Sequence, residues 1–271
     1  MEFELLPTGK QHISFSELKD WKECSWRHKL KNIDKIDIQS IGPALSFGTA
    51  VHNACENYLK TKVMDFSIAE KIIVDSFNDN LDNEKFKNES KEKMLLEARS
   101  ILNDVPNWLD STFPNWECLD AEYPLYEKID NVPYAFKGFV DAILICDKQS
   151  KNSSKIKKQY WVLDWKTSTR GWMQQKKRDE LTKSQAILYK EFISRKLNIP
   201  KKDIMCGFVI LKRYAKPSKH CELFKVSAGD VTIKKSLKVV NNMITTLNRK
   251  IALKNRESCT YCDYKGTEWC T

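Results

Sequence analysis

Asp164 and Lys166 stand one residue apart in the stretch Trp161-Val-Leu-Asp-Trp-Lys-Thr-Ser-Thr169. In an extended strand alternate side chains share a face, so these two project together while Trp165 points away. By themselves they would be an ordinary strand-end ion pair, worth about 0–1 kcal/mol. A second carboxylate changes the chemistry. Asp141 sits inside the apolar run Lys137-Gly-Phe-Val-Asp-Ala-Ile-Leu-Ile145, where an isolated carboxylate is costly unless it is paired or binds a metal. If the two strands are neighbours, Asp141 comes beside Asp164. Two carboxylates repel, and a hard divalent cation such as Mg²⁺ relieves the repulsion. Lys166 would then stand by the ion, where an ammonium orients a water and stabilises charge developing at phosphorus. His52 adds a nitrogen donor, which extends the expected metal from Mg²⁺ to Mn²⁺.

Such a constellation needs strands for the carboxylates and a helix for the histidine, and the chain supplies them in that form. Ser14-x-x-Glu17 reads as a capping box that opens a helix to about Lys31. Phe47-Gly-Thr-Ala-Val-His52 follows, with Gly48 at a close approach and His52 and Glu56 four apart on one helical face. Ser67-x-x-Glu70 caps a third helix. Met94, Leu95, Ala98, Ile101, Leu102 and Val105 repeat at helical spacing in a fourth, which Pro106 should end or kink. From about residue 116 the pattern changes to short runs of β-branched and aromatic residues, the first two joined as a hairpin through Asp130-Asn131. The second and third are separated by the Lys-rich Asp147–Gln159, read as a solvated hairpin tip, with contact to DNA as its other reading. A helix around Lys183–Ile199 crosses from the third strand to the fourth, and a last helix starts near Asp230, with Ile233, Leu237, Val240, Ile244 and Leu247 on its apolar stripe. The expected fold is α/β: one domain over residues 1–271, mainly helical over 1–115, a mixed sheet over 116–228, and a C-terminal helix with clustered cysteines over 229–271.

At 271 residues, with 41% hydrophobic and 11% aromatic content, the chain can bury a substantial core and is not of disordered type. It carries no run of membrane-spanning length and no signal-peptide pattern at its start, so it reads as soluble and cytoplasmic, with no membrane partner. The net charge of +10 points to a polyanion, since lysines and arginines gain affinity by releasing counterions from phosphates. Heavy use of Lys, Asn and Ile suggests an AT-rich genome, bacterial or that of a virus in its host cell. Nine cysteines in a reducing compartment are not a disulfide framework. Cys55, Cys118, Cys146 and Cys206 have apolar neighbours and read as small core residues. Cys259-x-x-Cys262 followed by Cys270 reads as three ligands of a zinc-type site that lacks a fourth nearby. Trp21 and Trp26 flank Cys24 and are expected to pack. Trp172, near Lys176, Lys177 and Arg178, is expected to pack too, with stacking on a DNA base as its other reading.

Taken together, Phe47–His52, Gly138-Phe-Val-Asp141, Asp164-Trp165-Lys166 and Gln185-x-x-x-Tyr189 resemble the motif set of PD-(D/E)XK nucleases, specifically the RecB-type exonuclease branch. Their order and spacing match from about Ser14 to the last residue. The resemblance implies a restriction-endonuclease-like mixed sheet flanked by helices, with an N-terminal helical elaboration. It implies that His52, Asp141, Asp164 and a main-chain carbonyl near Trp165 hold the catalytic Mg²⁺ or Mn²⁺ and that Lys166 acts on the attacking water. Gln185 and Tyr189 would line the site and touch the DNA strand. Glu56 and Glu122 are acidic candidates for an outer shell or a second metal, with plain surface solvation as the other reading. Cys24 is similar to the lone N-terminal cysteine that joins three C-terminal ones around a [4Fe–4S] cluster in iron–sulfur exonucleases of recombination and CRISPR adaptation. The seven-residue gap before Cys270 departs from the usual spacing and leaves structural zinc as the alternative. The implied activity is metal-dependent exonucleolytic hydrolysis of single-stranded or frayed DNA, leaving a 5′-phosphate, in recombination, repair or replication. A helicase or recombination protein would be the partner. A flap or junction endonuclease and a silent DNA-binding subunit are the alternatives.

Overall fold

A computed structural model describes residues 3–36, 38, 42–149, 156–260 and 262–271. In chain order its strands and α-helices are β1 (His12–Ser14), α1 (Phe15–Glu23), α2 (Ser25–His28), α3 (Pro43–Thr61), α4 (Phe66–Asn78), α5 (Glu84–Lys87), α6 (Lys91–Thr112), β2 (Glu117–Lys128), β3 (Ala135–Gln149), β4 (Ile156–Ser168), α7 (Gln174–Arg178), α8 (Glu180–Lys196), β5 (Ile204–Lys212), β6 (Cys221–Val226) and α9 (Asp230–Asn248). They form two compact units. One comprises Met1–Ser40, Pro124–Phe139 and Gly229–Thr271, the other Ile41–Tyr123 and Val140–Ala228. Among the described residues no helix is long and apolar enough to cross a membrane.

The second unit carries most of the sheet. Its strands lie in the order β3-β4-β5-β6, with β3–β4 and β5–β6 antiparallel and β4–β5 parallel. The parallel pair needs a crossover, and α8 supplies it, packing against β4, β5 and β6. The opposite face, through Leu163, Trp165, Val209 and Leu211, joins one apolar cluster with Phe47, Val51, Ala54, Ile73, Met94, Ile101 and Leu102 of α3, α4 and α6. This is the expected mixed α/β sheet flanked by helices. Two glycines set its tolerances. A Cβ at Gly48 would meet Thr167 Oγ1 at 3.4 Å, so α3 lies close on the end of β4. A Cβ at Gly207 would stand 2.5 Å from the Phe224 carbonyl oxygen, which ties β5 to β6 at that point.

Several local expectations shift. Helix α6 continues through Pro106 to Thr112; the ring removes one helical hydrogen bond, but buried Ile101, Leu102, Val105 and Leu109 anchor both sides. Asp65, not Ser67, caps α4 by accepting from the Ser67 N–H at 2.9 Å, and Glu70 pairs with Arg99 instead. Strands β3 and β4 pair out to Gln149 and Ile156; the hairpin tip expected between them falls on 150–155, outside the described residues.

In the first unit, β1 pairs in parallel with Ala135–Lys137 of β3. Ser14 caps α1 as expected, its Oγ accepting the Glu17 N–H at 3.2 Å. The Glu17 carboxylate does not return to complete the box. It is buried and bonds His28 at 3.1 Å and Lys10 at 3.3 Å. The helix expected to reach Lys31 breaks at Cys24, whose backbone is extended, before α2 and a π-turn over Lys29–Ile33 resume it. On α9 the apolar stripe Ile233, Val240, Ile244 and Leu247 is buried and Leu237 is half-buried.

Candidate active site

The last paired residues of the β3–β4 ladder are Ala142 and Leu163. Asp141 and Asp164 are therefore the next residues on either strand, on the face opposite the Leu163–Trp165 cluster. Trp165, buried on the far side, contributes its main chain: its N–H donates to Asp141 Oδ2 at 2.7 Å. Lys166 Nζ lies 2.6 Å from Asp164 Oδ2. That ammonium is the cation facing the buried Oδ2. Gln185, on α8, donates from Nε2 to Asp164 Oδ1 at 2.6 Å, and Nε2 also lies 3.5 Å from the Tyr189 hydroxyl one turn further on. His52 reaches the group from α3, with Nδ1 3.7 Å from Asp141 Oδ2. Folding thus brings His52, Asp141, Asp164, Trp165, Lys166, Gln185 and Tyr189 into one place.

Two carboxylates in so dry a setting cannot both ionise freely. Burial first, and then the neighbouring Asp164, drive the Asp141 carboxyl well above the usual carboxylate range. Burial also raises Asp164, against the opposing pull of Lys166 and Gln185. Burial works to lower the Lys166 ammonium, but Asp164 and Asp141 outweigh it and hold the group charged. The His52 imidazole is pushed down to about 4, mainly by burial and then by Lys166, so its lone pair is available at neutral pH. Oxygen donors that repel one another and a neutral imidazole suit a divalent cation. As the side chains stand, no three His, Cys, Asp or Glu groups among the described residues are gathered into a ready ligand sphere.

The acidic candidates occupy the margin of this site. Glu56 is ion-paired to Lys60 at 2.6 Å. Glu122 takes a left-handed backbone, φ 57°, inside β2, and its carboxyl is raised by burial and then by Glu56 and Asp164. Trp172 is buried against Phe208 and Phe224, with ring centroids 5.1 and 5.9 Å away, so it packs and does not offer a stacking face. Lys177 is held by Glu222 at 2.6 Å, whereas Lys176 and Arg178 are exposed.

The cysteines assemble separately, in the first unit. Cys24, Cys259, Cys262 and Cys270 line one small cavity, together with Trp26, Arg27, Asn255 and Tyr264. The break between α1 and α2 turns Cys24 toward the C-terminal segment: the Trp26 N–H donates to the Leu253 carbonyl at 3.1 Å and the Trp26 indole to the Trp269 carbonyl at 3.1 Å. Four thiols around one cavity suit a thiolate-bound metal or cluster. Cys55, Cys146 and Cys206 are buried and Cys118 is half-buried, while the His220 ring bonds the Lys212 carbonyl at 2.6 Å and its main-chain N–H donates to Asp104. Sequence reasoning missed Asn255 and Ser258, although Asn-x-x-Ser ahead of a short turn is a legible capping signal.

A profile of the PD-(D/E)XK nuclease superfamily matches residues 12–270. Among solved structures, a crystal structure from Eubacterium rectale, named a "putative exonuclease", superposes with a TM-score of 0.58 at 14% identity, covering 94% of this chain and 88% of the other. At that identity the likeness is one of fold. No protein of curated function matches the sequence.

Proposed function

The chain belongs to the PD-(D/E)XK nuclease superfamily, and on that premise we propose that it is a metal-dependent DNA exonuclease of the RecB-like type. It would act on single-stranded or frayed ends in recombination, repair or replication. The observation that carries this reading is the joint placement of Asp141, Asp164 and Lys166, with Gln185 bonded to Asp164 and the Trp165 N–H bonded to Asp141. A silent scaffold has no use for two repelling carboxylates held in a dry site.

In the reaction, Asp141, Asp164, His52 and the Trp165 carbonyl would hold Mg²⁺ or Mn²⁺. That ion supplies polarisation of the phosphoryl oxygens and an acidified water. Gln185 holds Asp164 through Oδ1 and leaves Oδ2 directed at Lys166. Lys166 orients the attacking water and balances the charge that grows on the phosphoryl oxygens. Tyr189, linked through Gln185, lines the wall past which the strand runs. Glu56 and Glu122 stand as outer-shell acids. The four cysteines would hold a [4Fe–4S] cluster, with zinc as the competing occupant.

Purified protein given end-labelled linear and circular single strands, with Mg²⁺ and Mn²⁺ in parallel, tests the activity. Release of mononucleotides or short oligonucleotides from linear strands alone is the expected result. Cutting of circles would turn the reading to an endonuclease, and no cleavage of either by wild type would defeat it. Anaerobically purified protein should be brown and contain about four irons per chain; one tightly held zinc in a colourless protein would replace the cluster.

A further inference from the structure

Cys24 is far in sequence from the other three cysteines, yet hydrogen bonds of the protein itself already tie it to the turn of Cys259, and one residue stands at the centre of those bonds. The Asn255 main-chain N–H donates to Cys24 Sγ at 3.4 Å across 231 residues. Its carbonyl accepts from Cys259 Sγ at 3.8 Å. Its side-chain amide donates to the Glu23 carbonyl at 2.8 Å and to Ser258 Oγ at 3.0 Å, and its Oδ1 accepts the Glu257 N–H at 3.3 Å. Ser258 Oγ donates to the same Glu23 carbonyl at 2.7 Å. A second layer flanks this one. The Leu253 N–H donates to Ser25 Oγ at 2.8 Å, and the Tyr264 hydroxyl to the Ile36 carbonyl at 2.5 Å.

We propose that Asn255, with Ser258, is a positioning residue that holds Cys24 against the turn of Cys259, and so prepares the four-cysteine site, before any metal enters it. The physical reason lies in where the bonds go. Cys24 sits where α1 breaks, so the Glu23 carbonyl is not used by the following turn and needs a donor from elsewhere. Asn255 and Ser258 supply it, and in doing so they fix the backbone on either side of Cys24 against the turn that carries Cys259. The clasp adds to the other contacts that close this loop of more than two hundred residues, so that less of the closure falls to the binding energy of a metal. With it, the folded chain already carries Cys24 to the cavity that Cys259, Cys262 and Cys270 line, and the metal has only to draw the thiols together. Part of this inference, the metal itself, rests on the cofactor reading given above; the clasp does not.

The experiment uses the full-length chain, first stripped of metal and then reconstituted anaerobically. Labelling of each cysteine by a thiol reagent, mapped by mass spectrometry, should find Cys24 protected in the metal-free wild type. Asn255→Ala should label Cys24 about tenfold faster, the change expected on losing an ordinary hydrogen bond or two, and should retain less iron or zinc although all four cysteines are present. Ser258→Ala, which keeps the Asn255 bonds to Glu23, Cys24 and Cys259, should fall between the two and serves as the gentler variant if Asn255→Ala does not fold. Cys24 labelling in the metal-free wild type as fast as in urea would overturn the proposal, as would unchanged protection and metal content in both variants. A wild type that takes up no metal would remove the cofactor reading alone, since Cys24 protection still judges the clasp.

Discussion

Lys166 and Gln185 act on the same carboxylate and should fail differently. In the proposed mechanism Lys166→Ala removes a charge aimed at the transition state, so cleavage should fall by about 10²–10³ while the fold and most DNA affinity remain. Asp141→Ala and Asp164→Ala should abolish cleavage by losing the divalent ion, which titration calorimetry with Mn²⁺ would show directly. Gln185→Ala loses one hydrogen bond to a charged group, which is worth about tenfold or somewhat more in rate. Single-turnover assays beside circular dichroism separate these effects from unfolding, and wild-type turnover by Lys166→Ala would reject the assignment. Away from the site, Glu17 makes a pH prediction. Burial works to raise its carboxyl, but His28 and Lys10 outweigh burial and hold it below the usual range. A depressed folded value means that the carboxylate stabilises the fold above the ordinary glutamate range and that this stability is lost as pH falls through the folded value. Glu17→Gln should therefore cost about 1–3 kcal/mol at neutral pH and converge with wild type in acid. Urea titrations at several pH values would show the convergence, and parallel curves would contradict it.

At the scale of elements, the site depends on how closely strands and helices approach. Helix α8 must cross from β4 to β5, and the crossing brings Gln185 over Asp164. Helix α3 must lie close on the end of β4 to present His52, and Gly48 leaves the room for it. The pairing of β5 with β6 tolerates less. Gly207→Ala places a methyl against the Phe224 carbonyl, and since backbone yields poorly, about 1–3 kcal/mol of stability should go. A denaturation midpoint equal to wild type would mean that β6 can shift freely.

The whole molecule carries a net charge of +10 and a pI near 9.0, and its DNA binding without active-site metal should weaken steeply with salt. Replacing Lys176 and Arg178 with glutamine should flatten that dependence by up to about 2 in log–log slope if both touch phosphate. Lys177 is held by Glu222, so Lys177→Gln should affect stability more than the slope. Filter binding across a salt series would separate these cases, and an unchanged slope in the double variant would return the segment to plain solvated surface. The candidate catalytic residues all belong to one compact unit and the four cysteines to the other. Cys262→Ser should therefore lose metal and lower the melting temperature. The Trp165 amide, bonded to Asp141, should keep its hydrogen-exchange protection, and rapid exchange there would show that the two units do not fail separately.

What the sequence alone determined was chemistry and period. Asp141 in an apolar run, Asp164 and Lys166 two apart, and Gln185 and Tyr189 four apart are local patterns, because strand and helix periods are local properties of the backbone. The α/β order and the crossover helix followed from the same periods. What only the tertiary structure decided is how separate segments meet. The ladder register that sets Asp141 next to Asp164, the Trp165 N–H on Asp141 and the Gln185 amide on Asp164 depend on pairing and packing between segments, which no single window of sequence encodes. Local rules erred where long-range contacts opposed them. The helix expected to reach Lys31 stops at Cys24, where the Leu253 carbonyl takes the Trp26 N–H and Asn255 and Ser258 take the Glu23 carbonyl. Pro106 fails to end α6 because core contacts on both sides outweigh one lost hydrogen bond. The free energy of a packed contact is collected only after the chain has closed on itself, so it is legible in the fold and silent in the order of residues.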